Sequence, residues 1–453
     1  MRDLLTEALK GHGADYVEIR VEESRATRIQ YRGRELEDIG HTTELGGNVR
    51  ALVKGGWGFV SFNDLRDIKE RVALAVRQAR LAGEDRSRLA EVEPVVDVVP
   101  AELVRDPQEV PLGEKKRLLD EYNEVIWGCS SKIQTSIIRY GDTHKRLYFA
   151  NSEGSYIEQE RVDLVAFFLV VAREDGNIQR AHLSLGSVKD YSVVEGLHEK
   201  IADTAQRAVR LLSAKPVKGG IYTVVVDPEL AGVFAHEAFG HLSESDFVYE
   251  NERLRELMVL GRRFGGEHLN IVDGAAVPGL RGSYRYDDEG VPASKSYLIK
   301  EGVLVGRLHS RETAGKMGER PTGNARAISY RFPPIVRMTN TYIEPGDVSF
   351  QDMIGDIEEG IYVKGSYGGQ TSMEMFTFAA GEAYMIRHGQ IAEPVRGVNL
   401  SGNVFETLAN IEAIGRDLSW NEGGSCGKGE QSPLPVADGS PHIRIRNVVI
   451  GGE

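Results

Sequence analysis

The chain has 453 residues, with 55 Lys+Arg against 68 Asp+Glu and a net charge of −13. Its 41 % apolar content excludes gross disorder and predicts two or three packed domains at roughly 150 residues each. The acidic balance excludes a nucleic-acid binder built on clustered Lys/Arg, and the lack of any run of about 18 apolar residues excludes a spanning helix.

Met1 to Glu7 turns acidic at once and is expected to carry no signal-peptide core. Leu4, Leu5, Ala8 and Leu9 predict a short helix that Gly11 and Gly13 end. Val17, Ile19 and Val21 alternate with Glu18, Arg20 and Glu22, which predicts a half-buried strand. Val49 to Val53 and Gly58 to Phe62 flank a hairpin turn, and Asp64 is expected to cap a helix running to about Ala82. Residues 91–112 hold four prolines and read as an extended linker. A helix is expected from about Glu114, with Leu118, Tyr122, Val125 and Ile126 on one face. Strands follow over 133–139, 146–150, 154–160 and the apolar run 164–172, with Asp142, Asn151-Ser152 and Asp175-Gly176 as turns. A second helix fits about 194–212. Ile221 to Val226 is an apolar strand, after which Asp227-Pro228 supplies an N-cap and an N1 proline. The chain's 51 glycines favour turns, and beyond about 280 short apolar runs predict hairpins, over 297–305 and 384–391 among others. The expected class is α+β: an N-terminal α+β domain over 1–215, and a β-rich C-terminal domain over 216–453 carrying one chemically loaded helix. Two cysteines, Cys129 and Cys426, do not make a disulfide scaffold, so a reducing cytoplasm is expected.

That helix carries His236-Glu237-Ala238-Phe239-Gly240-His241. A zinc site needs neutral imidazoles with a carboxylate close by. The common metalloprotease helix spaces its histidines by four, which turns the second ring about 40° from the first. A spacing of five turns it about 140° away. Both rings meet one ion only if the helix widens in a π-type turn or ends between them, and Gly240 permits either. Three protein ligands are usual. Glu244, Asp246 and Cys426 are the candidates for the third. The loop Gly423 to Gly429 fails as a phosphate-binding loop, which would need Gly in place of Glu422 and Ser or Thr in place of Gly429. Cys129, at a helix end, is expected to be a small buried hydrophobe. His12, His41 and His309 lack ligand spacing.

Downstream lie Asn324-Ala325-Arg326, Arg337 to Thr341, Gly368-Gly369-Gln370, Gly381 to Tyr384 and Ser425 to Lys428. With the histidine motif, Glu244 and Asp246-Phe247, they make the chain resemble the TldD/PmbA family of metalloproteases, also described as modulators of DNA gyrase. The resemblance spans nearly the whole chain and is densest after about 220. It implies one zinc ion per chain held by His236, His241 and Cys426, with Glu237 as catalytic carboxylate. It also implies a partly enclosed cleft, short or unfolded peptides as substrates, and a dimer with an inactive paralogue. Close members carry a more acidic segment where this chain has Leu242 to Asp246. Asn324, Arg326, Gly368, Gly369 and Gln370 are candidates for substrate binding. A thiolate ligand gives the ion more charge than an imidazole does, so modest turnover is expected. Two rival readings are a hydrolase with Cys426 as nucleophile and a regulatory binding protein without chemistry.

Overall fold

The computed structural model describes residues 1–83, 87–372 and 374–451. A short helix α1 (Arg2–Ala8) precedes the antiparallel strands β1 (Tyr16–Arg32), β2 (Glu35–Val53) and β3 (Gly56–Phe62). Helix α2 (Ile68–Ala82), strand β4 (Val96–Val99) and helix α3 (Leu112–Gly128) follow. Then come the long strands β5 (Ile133–Asn151), β6 (Tyr156–Glu174) and β7 (Asn177–Ser187), and helix α4 (His198–Leu211). All seven strands share one sheet, in the order β3-β2-β1-β5-β6-β4, with β7 on β6. Helices α3 and α4 cover one face of it. Leu119, Tyr122, Ile126, Ile201 and Ala205 pack on Ile138, Phe168 and Val170. Each fully buried side chain of this size contributes about 1.5–3 kcal/mol.

Five sequence expectations change here. The turn expected at Asp142 is absent and β5 runs unbroken. The Asp142 carboxylate is buried and accepts bonds from Lys115 Nζ (2.6 Å), Tyr140 Oη (2.6 Å) and Gln108 Nε2 (2.5 Å). A carboxylate matched so fully has no need of a solvated turn. Residues 154–160 and 164–172 likewise merge into β6. Helix α2 starts at Ile68, because the Asp64 side chain instead accepts from the Arg66 N–H. The segment read as a linker contributes β4, which pairs in parallel with residues 156–159. β1 is not half-buried: Glu18, Arg20 and Glu22 are also enclosed. Arg50 bridges Glu18 and Glu289, at 2.8 Å each, and Arg20 reaches Asp288 at 3.3 Å. The polar face of the first half thus meets matching charges from the second.

The second half begins with β8 (Lys215–Pro216) and β9 (Gly220–Val226) and then helix α5 (Pro228–Phe234). β9 lies between the strands 359–372 and 443–451. Those strands, with 375–387 and 399–403, close into a five-strand ring. A six-stranded sheet holds residues 271–274, 295–300, 303–304, 340–343, 419–421 and 437–440. Its core joins that of the ring through Leu230, Phe234, Phe239, Leu298, Met338 and Phe378. Among the described residues no helix is long and apolar enough to cross a membrane.

Candidate metal centre

Asp227 caps α5, accepting from the Leu230 N–H at 3.0 Å, and also accepts from the Gly365 N–H at 3.1 Å. The helix start is thereby tied to the strand 359–372. The helix then widens into a π-type turn over Ala235–Gly240, one of the two arrangements that a spacing of five leaves open. The two imidazoles meet edge to face, with ring centroids 5.4 Å apart. Gly240 allows the turn to sit against Met338, since a Cβ there would stand 2.0 Å from the Met338 sulfur.

Cys426 approaches from a strand 185 positions later, its Sγ 3.6 Å from His241 Nε2. Ligand atoms of His236, His241 and Cys426 all lie within 4.8 Å of one another. A tetrahedral zinc site with bonds of about 2.0–2.3 Å separates nitrogen from sulfur by about 3.5 Å. The remaining ring nitrogens are held from behind. His236 Nδ1 stands 2.8 Å from Asp438 Oδ1, and His241 Nδ1 stands 3.0 Å from Glu244 Oε2. Such carboxylates fix ring orientation and raise ligand basicity. The donor set therefore fits a soft-to-borderline divalent cation, zinc foremost.

Electrostatics agree. Burial alone would lift the Cys426 thiol, but the charges and hydrogen bonds of His236 and His241 bring it down to about 5. Burial opposes protonation of His241, yet Glu244 and the Cys426 thiolate push it up to about 9. His236 is likewise raised, by Asp438 and Cys426 against burial. Protons here occupy positions that a cation would take. Glu237 stands 3.8 Å from His241 Nε2 and lines the cleft, and burial lifts its carboxyl above the ordinary range.

Two anchors hold the Cys426 strand. Lys428 Nζ lies 2.7 Å from both Asp246 oxygens, 3.2 Å from Glu244 Oε2 and 2.9 Å from the Val336 carbonyl. Glu244 and Asp246 thus engage Lys428, and Glu244 supports His241 from behind, instead of joining the ligand cluster. On the other side, Arg281 grips Asp163 of β6 through Nε (2.6 Å) and Nη2 (2.9 Å). Its Nη1 donates to the carbonyls of Glu422 (3.2 Å) and Gly424 (2.8 Å). Ser184 Oγ donates to the Gly423 carbonyl at 3.0 Å. The first half of the chain therefore braces the loop that delivers the thiolate.

The centre opens on a cleft of ≈ 870 Å³ between the two halves. Arg326, Gly368 and Gly369 line it, whereas Gln370 is exposed beyond it. Asn324 is not in the wall: it is buried, donating to Asp273 Oδ1 (2.9 Å) and the Arg337 carbonyl (3.0 Å). Cys129 caps the end of α3, half-buried against Val125 and Ala202. His309 is buried against Ser245, Thr313 and Glu319. Asp438 and Arg281 escaped the sequence reading, because each acts across more than 100 positions and no local spacing marks it.

Residues 17–82, 105–215 and 219–452 match, in order, domain 1, the central domain and the C-terminal domain of the PmbA/TldA metallopeptidases. A metalloprotease of Synechocystis sp. is 51 % identical over 441 residues, covering 97 % of this chain and 95 % of that protein. A zinc metalloprotease TldD homolog of Saccharolobus solfataricus is 31 % identical over 454 residues, covering 97 % of each. TldE from Thermococcus kodakarensis shares the fold, with a TM-score of 0.77 at 19 % identity over 100 % of both chains. The chain belongs to the PmbA/TldA metallopeptidase family.

Proposed function

We propose that the chain is a zinc-dependent peptidase acting on peptides or unfolded polypeptides in the cleft between units 1–215 and 216–453. The observation that carries this reading is the convergence of His236, His241 and Cys426 within 4.8 Å, with His236 and Glu237 lining an ≈ 870 Å³ cleft. When bound to these three residues, the cation would polarise a scissile carbonyl and lower the pKa of water from 15.7 to about 7. Glu237 accepts the proton of the attacking water at its carboxylate and later passes it to the leaving amine. Its burial-raised pKa suits both transfers. Asp438 and Glu244 hold the imidazoles in one orientation through the cycle. The reading extends to one zinc ion per chain, a cytoplasmic setting, and a dimer that includes a paralogue without the histidines.

Cys426 as a nucleophile is disfavoured, because its side chain is 2 % exposed and its sulfur faces the imidazoles. Removing metal with a chelator is expected to abolish hydrolysis of an unfolded protein, and zinc is expected to restore it. Full activity in Glu237→Ala would refute the assigned base. A zinc-loaded chain that binds peptides without cleaving them would favour the regulatory, gyrase-modulator reading.

A further inference from the structure

The run 164–172 is apolar on both faces of β6, and only one face belongs to the core. Leu164, Ala166, Phe168 and Val170 are fully buried under α3 and α4. Val165, Phe167 and Leu169 point the other way, half-buried, into the wall of the cleft. Apolar side chains kept against an open cleft mark a surface that something covers.

The strands beside them set what stands next to that stripe. In the β5–β6 register Arg139 is opposite Phe167, and in the β6–β7 register Arg180 is opposite Val171. Both arginines line the cleft and both are exposed. Neither enters an ion pair with a described residue. The neighbouring wall carboxylates are already matched: Asp163 by Arg281, and Asp288 by Arg20 and Arg161. Glu229 stands 4.0 Å from His182, and Arg139 also faces Glu37 near the tip of the β1–β2 hairpin. The Arg180 guanidinium rests 4.6 Å over the Tyr367 ring, which limits its freedom. Two unpaired cations flanking an apolar stripe, in a chain of net charge −13, suit a ligand of opposite sign.

We infer that the cleft selects peptides bearing a carboxylate beside an apolar side chain. The apolar group lies on Val165, Phe167 and Leu169, and the carboxylate is held by Arg139 or Arg180, which flank that stripe from opposite sides. This rests on the peptidase reading above. The carboxylate comes either from an Asp or Glu side chain or from a free C-terminus, and a guanidinium recognises both alike.

The test uses the full-length zinc-loaded chain and fluorogenic peptides in matched sets. One arm replaces Glu by Gln beside a Leu or Phe, and the other amidates the C-terminus. At low salt at least one arm is expected to show about a tenfold preference for the anion in kcat/KM. Arg139→Gln/Arg180→Gln is expected to bring that ratio toward one, as high salt does. The arm that responds identifies the source of the carboxylate. A ratio near one in both arms, or a ratio unchanged in the double variant, overturns the inference while leaving the peptidase reading intact. Anisotropy of the labelled peptides on Glu237→Gln reads the same preference without turnover. If no peptide is hydrolysed, the peptidase reading falls and the anisotropy ratio alone decides this one.

Discussion

Cys426 is buried between two imidazoles, and its thiol falls from an ordinary 9.0 to about 5. The folded value lies below the unfolded one. Its contribution to stability is therefore complete above about 9 and lost as pH falls through about 5. His241 runs the opposite way, raised from 6.5 to about 9. Its contribution is complete below 6.5 and lost as pH rises through about 9. In the metal-free chain, thiolate absorbance at 240 nm, taken as the difference from Cys426→Ala, is expected to vanish with a midpoint of about 5. A midpoint near 9 would contradict the account. The carboxylates behind the rings act through orientation. Asp438→Ala is expected to weaken zinc binding about 10–100-fold in competition with a chelator. Unchanged affinity would mean that the 2.8 Å contact with His236 is incidental.

At the scale of elements, the helix that carries the histidines depends on one close approach. Gly240→Ala places a Cβ 2.0 Å from the Met338 sulfur. The cost expected from such overpacking is about 1–3 kcal/mol, and Met338→Ala in the same chain is expected to recover part of it, as thermal melting would read. The loop before Cys426 depends on Arg281. Arg281→Ala releases the Glu422 and Gly424 carbonyls and leaves Asp163 unpaired. Zinc affinity is expected to drop about tenfold, with the secondary structure retained by circular dichroism. The sequence narrowed the histidine segment to a π-type turn or a helix end, because a spacing of five does not fit a regular α-helix, and the fold takes the π-type turn. The α5 cap and the hairpin turns at Glu301-Gly302 and His388-Gly389 were legible from local chemistry. The unbroken β5 was not, because Asp142 is stabilised by Lys115 from a preceding helix. Nor was the enclosure of Arg20, whose partner Asp288 comes from the other half of the chain, or of Glu18, whose partner Arg50 is bound in turn to Glu289. Residue type singled out His236, His241 and Cys426, which the fold brings together, whereas Asp438 and Arg281 needed the fold to bring them in.

Over the whole molecule, the metal cluster belongs to the second half but is braced by the first. Ser184 and Asp163 hold the Cys426 loop, and the Arg50 network joins the two halves. Arg50→Ala strands Glu18 and Glu289 in a buried setting, at an expected cost of about 3–5 kcal/mol. A matching fall in melting temperature checks it, and an unchanged one would show that the halves dock without this charge matching. The central claim is that two imidazoles and one thiolate share a single cation. X-ray absorption at the zinc edge of the loaded chain tests it most directly. The account predicts one sulfur at about 2.3 Å with nitrogens at about 2.0–2.1 Å, and loss of the sulfur shell in Cys426→Ala. A first shell of nitrogen and oxygen alone in the unsubstituted chain would contradict it.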